Sequence, residues 1–294
     1  ITSSTASSSI NVYFNTIRLA GSGGASFTTS GLFHTTSATA TTATLNLRNN
    51  IIINLTNPGT GVASALRRSS AAVLGNYGST SNKNLLYAGT PGTGHAVMYD
   101  GTTQYTAFGP AATAGTYQNA VTPRDAVSFN GEAAFDYSAV SGPTQFFQSI
   151  TPTDPTYLHV LAGITTQVES GADPIATPSI TVDYDGDTRN ATKPDIGADE
   201  FVGVSPSPVI TFNSITPAAT TQCVATSRTI SVDVNPTAGT TSTVTLNYSY
   251  NGTGQTPVAM TNTSGSTWTG VITAPTTPAN ATVAWTVTAT NSIG

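Results

Sequence analysis

The sequence predicts an all-β chain in two parts: a parallel solenoid over residues 1–202, a linker at 203–208 and a β-sandwich over 209–294. Three observations predict it. Thr, Ser, Asn and Gly dominate, and these residue types favour strands and turns over helices. Strand-like runs recur at a nearly fixed period in the first hundred residues. After the linker the pattern becomes strict alternation of apolar and polar residues.

Composition bounds the function classes. Charged residues make up 8% of the 294 residues, against about 25% in ordinary soluble proteins. The apolar share is 38% and the net charge only −5, so the chain buries a core rather than staying disordered. An acidic balance with nine scattered Lys and Arg argues against nucleic acid as a partner. No run approaches the roughly 18 apolar residues of a membrane span. A single cysteine, Cys223, excludes an internal disulfide framework and any Cys-based zinc site; it is either buried or paired with another chain segment.

The repeat is read by aligning "VYFNTIRL" (12–19), "LRNNIIIN" (47–54) and "NKNLLYAG" (82–89). This superposes Asn15, Asn50 and Asn84, each followed by apolar residues, at spacings of 35 and 34. A second set, "GLFHT" (31–35), "SALRRS" (64–69) and "HAVMYD" (95–100), superposes Leu32, Leu66 and Met98. Two strand-like runs per unit predict successive turns paired in parallel around a dry interior. The Asn side chains are expected to stack at one corner, each amide bonded to the next. Residues 101–180 are less regular: "GPAATAGTYQNAV" (109–121) predicts a short helix, and "FFQSI", "TYLHVLAG" and "PSITVDYD" predict further strands.

The first part closes with "VDYDGDTRNATKPDIGADEF" (182–201), which holds six of the 14 acidic residues. Three readings compete. A catalytic site lacks a partner base in this linear run. A calcium loop is suggested by Asp183, Asp185 and Asp187 around Gly186, like the first half of an EF-hand loop, but no Glu stands about seven residues after the third Asp. The third reading is a cap on the last turn, in which Arg189 clamps Asp195 or Asp199 and Ile196 and Phe201 return to the end of the core.

"NVYFNTIRLAG", "LNLRNNIIIN", "NLLYAG", "YLHV", "ESGADPIA" and "DYDGDTRNATKPDIGADEF" together resemble the right-handed parallel β-helix regions of large surface proteins of Bacteroidetes-type bacteria that use the type IX secretion system. The resemblance covers about residues 10–201, and D-x-D-G-D-x-R followed by D-I-G-A-x-E is its most specific part. It implies a right-handed β-helix, an extracellular or cell-surface location, and a role as an adhesin or filament.

In the second part Ile230, Val232 and Val234 alternate with polar residues, as do Val244, Leu246, Tyr248 and Tyr250, and then Val283, Trp285, Val287 and Ala289. "NGTG" (251–254) signals a hairpin turn. About six strands predict a sandwich whose last strand lies beyond Gly294. It resembles the Ig-like modules that follow β-helices in the same surface proteins. The chain is expected to continue on both sides in its parent.

No constellation points to catalysis. His34, His95 and His159 lie far apart, and stacking on one strand accounts for His34 and His95. Asp125, Glu132 and Asp136 are the candidate acid pair for glycoside chemistry, with no spacing that singles them out. Arg67 and Arg68 read as a solvated strand face, and "GSGG" (21–24) as a turn. The expectation is a structural or adhesive surface protein with no cofactor beyond a possible calcium ion. Its partners would be further copies or domains of the same long chain, surface glycans or other cell-surface proteins. The alternative is a carbohydrate-binding or carbohydrate-active β-helix protein.

Overall fold

The computed structural model describes residues 8–206, 210–216, 226–236, 241–275 and 281–291. The chain divides into two compact units, Ile1–Pro206 and Ser207–Gly294, and the division falls inside the expected linker. The architecture is all-β; among the described residues the one helix is α1 (Tyr117–Val121), capped by Thr116.

Three strand ladders organise the first unit. In the first, β1 (Ser9–Tyr13) pairs in parallel with β4 (Thr44–Arg48), and the bridges Leu45 to Tyr77 and Arg48 to Asn82 extend it. In the second, β2 (Thr16–Ser22), β5 (Ile51–Asn57), β7 (Leu85–Tyr87) and β10 (Phe129–Asn130) pair in parallel, with Thr16, Ile51, Leu85 and Phe129 in one column. In the third, β3 (Thr29–His34), β6 (Ala63–Arg68) and β8 (His95–Tyr99) pair in parallel, with Leu32, Leu66 and Met98 in register. A short β9 (Gln104–Tyr105) closes this edge antiparallel to β8.

Each unit of the repeat therefore carries three strands rather than the two expected. The run through each Asn is two strands, broken by a residue with positive φ just before the Asn: Phe14 (53°), Asn49 (59°) and Lys83 (60°). One left-handed residue turns the chain sharply. Its side-chain type varies from repeat to repeat, so the alignment shows no turn residue there.

At this corner the expected stack is present. Asn15 Nδ2 donates to Asn50 Oδ1 at 3.1 Å, and Asn50 Nδ2 donates to Asn84 Oδ1 at 2.9 Å. The same oxygens accept the backbone N–H of Asn15 and Asn50, both at 3.0 Å. Asn84 Nδ2 ends the series on Asp125 Oδ1 at 2.9 Å. Asp125 is fully buried and also accepts from Ser128 and from the hydroxyls of Tyr77 and Tyr117.

Side-chain alternation in β5 builds two cores. Ile52 joins Leu32, Leu45, Leu47, Leu66, Leu86 and Met98 in the core shared by the three ladders. Ile51 and Ile53 face the other way and pack with Phe14, Leu85, Tyr137, Phe146, Val160 and Ile196. Three consecutive isoleucines mark a strand buried on both faces.

The material on that second face is residues 131–206. No strand is assigned there among the described residues, so the ladders end at Asn130 rather than continuing to residue 202. The expected strands at "FFQSI", "TYLHVLAG" and "PSITVDYD" are isolated bridges, such as Phe147 to Val160 and Val182 to Thr188. The closing segment does not cap the last turn. It lies along the side of the ladders: Gly197 N donates to Asn49 O at 2.9 Å, and Ala198 N to Thr16 Oγ1 at 3.0 Å. The apolar outer face of β2, β5 and β7 needs covering, and this coil covers it.

The second unit has two antiparallel sheets. One orders β11 (Ile210–Thr216), β12 (Arg228–Pro236), β17 (Thr267–Ile272) and β16 (Thr261–Ser264). The other sets β13 (Thr241–Tyr250) against β14 (Thr253–Gly254), β15 (Val258–Ala259) and β18 (Val283–Asn291). The alternating residues Ile230, Val232, Val234, Val244 and Leu246 meet in its core. Asn251 and Gly252, both with positive φ, form the expected hairpin turn. Cys223 lies outside the described residues.

Candidate functional site

The acidic closing segment is built around Asp183. Its Oδ1 accepts the N–H of Asp185 at 2.9 Å and of Asp187 at 2.8 Å, and its Oδ2 accepts Glu200 N–H at 2.9 Å. Gly186, at φ 93°, lets the loop turn between them. Both oxygens of Asp183 are thus committed to backbone, and Asp183, Asp185 and Asp187 do not converge as a calcium loop would require. Of the three, only Asp185 joins a cluster of ligand-type side chains among the described residues.

Arg189 is buried and central, but its carboxylate partner is Glu200, at 3.2 Å, rather than Asp195 or Asp199. Its other nitrogen donates to Gly197 O at 3.0 Å and Ala198 O at 2.9 Å, and its guanidinium lies 4.2 Å from the centre of the Phe14 ring. Arg189 reaches Asp195 only through that residue's carbonyl, at 3.5 Å. The Asp195 carboxylate instead accepts Ser170 N–H at 2.6 Å and Phe201 N–H at 2.8 Å. Burial pushes the Asp195 carboxyl up to about 7, against the pull of those two donors. Burial also draws the Arg189 guanidinium below its ordinary value, with Glu200 opposing.

Asp199 turns away from Arg189 and meets His159. Its Oδ2 accepts Val160 N–H at 2.8 Å, and its Oδ1 stands 3.7 Å from His159 Nδ1. The far ring nitrogen, Nε2, is 3.1 Å from Asp185 Oδ2. Burial raises the Asp199 carboxyl above its usual range, while Val160 N–H and His159 pull it down. His159 is fixed by its backbone: its carbonyl accepts Gln148 N–H at 2.7 Å, and its N–H donates to Thr156 O at 3.1 Å. An imidazole between two carboxylates can hold a proton or share a cation.

The remaining candidates are bound into separate local sets. Asp125 terminates the Asn stack inside the core. Glu132 is held by Thr166 Oγ1 and Gln167 N–H, and burial raises its carboxyl. Asp136 caps the N–H of Ser138. His34 and His95 do not stack: His34 pairs in register with Arg68, whereas His95 pairs with Ala63. His34 Nε2 lies 2.8 Å from Ala43 O, and His95 Nδ1 lies 2.8 Å from Ala88 O. Arg68 is not on a solvated face but fully buried, 4.5 Å from the Tyr77 ring centre. Its neighbour Arg67 is half-buried between Phe33, at 4.7 Å, and Tyr99, at 5.4 Å.

The residues that sequence reasoning missed are Glu200, the true partner of Arg189, and His159 as a neighbour of the acidic segment. Compared with known proteins, the chain matches no family model, no curated protein and no solved structure. Among the described residues, no helix is long and apolar enough to cross a membrane.

Proposed function

We propose that the first unit is a right-handed parallel β-helix covered on one face by its own closing coil, that the second is an Ig-like β-sandwich, and that the chain is a non-catalytic stalk or filament segment of a large secreted bacterial surface protein. The observation that carries this reading is the Asn stack, in which successive turns lock side chain to side chain at 34- and 35-residue intervals. Stacked turns with a continuous core suit a load-bearing element. The acids of the closing segment support the same reading, because most of them bind backbone N–H groups rather than facing an open cleft. The partners expected are further domains of the same long chain and surface glycans, at the extracellular cell surface, of the kind exported by type IX secretion.

One observation favours carbohydrate binding as a second reading. Phe33, Arg67 and Tyr99 stand in register on adjacent strands, an aromatic–cation–aromatic row on the outside of one sheet. Such a row can stack on a sugar ring.

Two measurements test the proposal together. Pulling the purified chain by its ends should show the first unit resisting as one cooperative block. Incubation with pectin, alginate and comparable polysaccharides should give no depolymerisation. Turnover that disappears with Glu132→Gln or Asp136→Asn would replace the structural reading with an enzymatic one. Glycan binding lost with Arg67→Ala, without turnover, would select the second reading.

A further inference from the structure

Most acids of the covering coil have a common use, and three of them, Asp173, Asp185 and Asp187, depart from it. Glu132, Asp136, Asp154, Glu169, Asp183, Asp195, Asp199 and Glu200 each accept at least one backbone N–H. Asp185 accepts none; its carboxylate points instead at His159 Nε2, at 3.1 Å. On the other side of the ring stands Asp199, which is only 7% exposed. One of its oxygens is tied to Val160 N–H, and the other accepts no hydrogen bond and faces the imidazole at 3.7 Å. That oxygen and the Asp185 carboxylate face the ring from two sides, so a cation beside them would meet negative charge from both.

One ligand atom from each of His159, Asp185 and Asp199 lies within 4.8 Å of the other two. In a tetrahedral site two donors bound at about 2.0–2.2 Å stand about 3.3–3.6 Å apart. Movements of up to about an ångström per side chain therefore bring all three onto one centre. His159 comes from one stretch of coil and Asp185 and Asp199 from the closing segment, and each is held by backbone contacts: His159 by Gln148 and Thr156, Asp185 by Asp183, and Asp199 by Val160. Such outer contacts hold ligands in place for an ion. The side chains of His159 and Asp185 are 22% and 37% exposed, which leaves an entry path and room for water ligands.

We propose that His159, Asp185 and Asp199 bind one divalent transition-metal ion of the zinc class. One imidazole nitrogen and two carboxylate oxygens are a donor set for Zn²⁺, Mn²⁺ or Co²⁺, whereas Ca²⁺ and Mg²⁺ take oxygen ligands throughout. A neutral imidazole with two carboxylates carries a charge of −2, which a divalent ion neutralises. This site shares only Asp185 with the calcium loop suggested by the sequence, and it does not depend on the proposed stalk function.

The test is calorimetric titration of the untagged chain with ZnCl₂, with CaCl₂ as the second arm. One Zn²⁺ per chain is expected, and equimolar Ca²⁺ should not displace it. His159→Ala and Asp185→Asn, both partly exposed positions, should each weaken binding at least tenfold, whereas Asp187→Asn should leave it unchanged. Zn²⁺ should also shift the ring nitrogen resonances of His159 and not those of His34 or His95. Absence of Zn²⁺ binding by the native chain would overturn the proposal and leave His159 as a polar contact of the two carboxylates. Binding that survives His159→Ala, or that Ca²⁺ competes away, would overturn it equally. Far-ultraviolet circular dichroism of each variant separates lost ligands from lost fold.

Discussion

Residues 8–130 and 131–206 both bury large apolar side chains, but they satisfy their backbones in opposite ways. The first stretch pairs strand on strand, and its side-chain amides repeat the same bond from one repeat to the next. The second has no ladder and uses carboxylates in its place. Asp183 gathers three N–H groups, Asp195 and Glu200 two each, and Asp199, Glu169 and Glu132 one each. A buried backbone N–H must find an acceptor, and where no neighbouring strand offers one, a short acidic side chain can. This explains why eleven of the 14 acidic residues lie between Glu132 and Glu200. The acids that look like a site in the sequence are mostly the hydrogen-bond acceptors of a coil without a sheet.

The sharpest way to break the first arrangement is Asn50→Ala. Asn50 donates to Asn84, Val12 and Arg48 and accepts from the backbone and side chain of Asn15. Removing it strands several buried groups at once, and a loss of roughly 3–5 kcal/mol in denaturant unfolding is expected. A loss below about 1 kcal/mol would mean that the stack is incidental to stability.

The corresponding test of the coil is Arg189→Ala, expected to cost about 2–4 kcal/mol because Glu200 and two carbonyls lose their donor. Arg189→Lys should recover little of this, since a single ammonium cannot reproduce the planar fork over Phe14. Thermal melts of the three proteins, each with and without EDTA, check the prediction. Equal melting temperatures would remove Arg189 as the anchor of the coil.

A smaller effect separates the two regions by pH. The Asp195 carboxyl sits at about 7 in the folded chain against an ordinary value of 3.8. A carboxyl raised on folding binds a proton that the unfolded chain releases, so its stabilising contribution is present below about pH 4 and is lost as pH rises through about 7. The melting temperature of the native chain relative to Asp195→Asn should therefore fall between pH 4.5 and 8. A difference independent of pH would show that the two N–H donors outweigh burial at this carboxylate.

The sequence shows the periodic half of this molecule far better than the aperiodic half. Asn15, Asn50 and Asn84, and Leu32, Leu66 and Met98, are visible because each turn repeats the same chemistry at the same place. The division of the Asn-bearing run into two ladders is hidden because the corners at Phe14, Asn49 and Lys83 require a backbone angle and not a residue type. The covering coil leaves one clue, the double-faced triplet Ile51–Ile53, which calls for a second layer without saying which segment supplies it. Within the acidic run, Arg189 stands out as a buried cation, but nothing in a line of six acids selects Glu200 over Asp195 or Asp199. His159 is invisible as their neighbour because coil-to-coil contact has no sequence period.

The Asn stack has a direction. Each side chain hands its amide hydrogens onward and offers its oxygen backward, so every member is both plug and socket for an identical neighbour. Asp125 is a socket only, and the series stops there. A duplicated turn inserted anywhere between Asn15 and Asn84 would meet matching fittings on both sides, whereas one inserted after Asn84 would have to displace the stop. The joint itself therefore does not fix the number of repeats; the coil bonded to Thr16, Arg18 and Asn49 does.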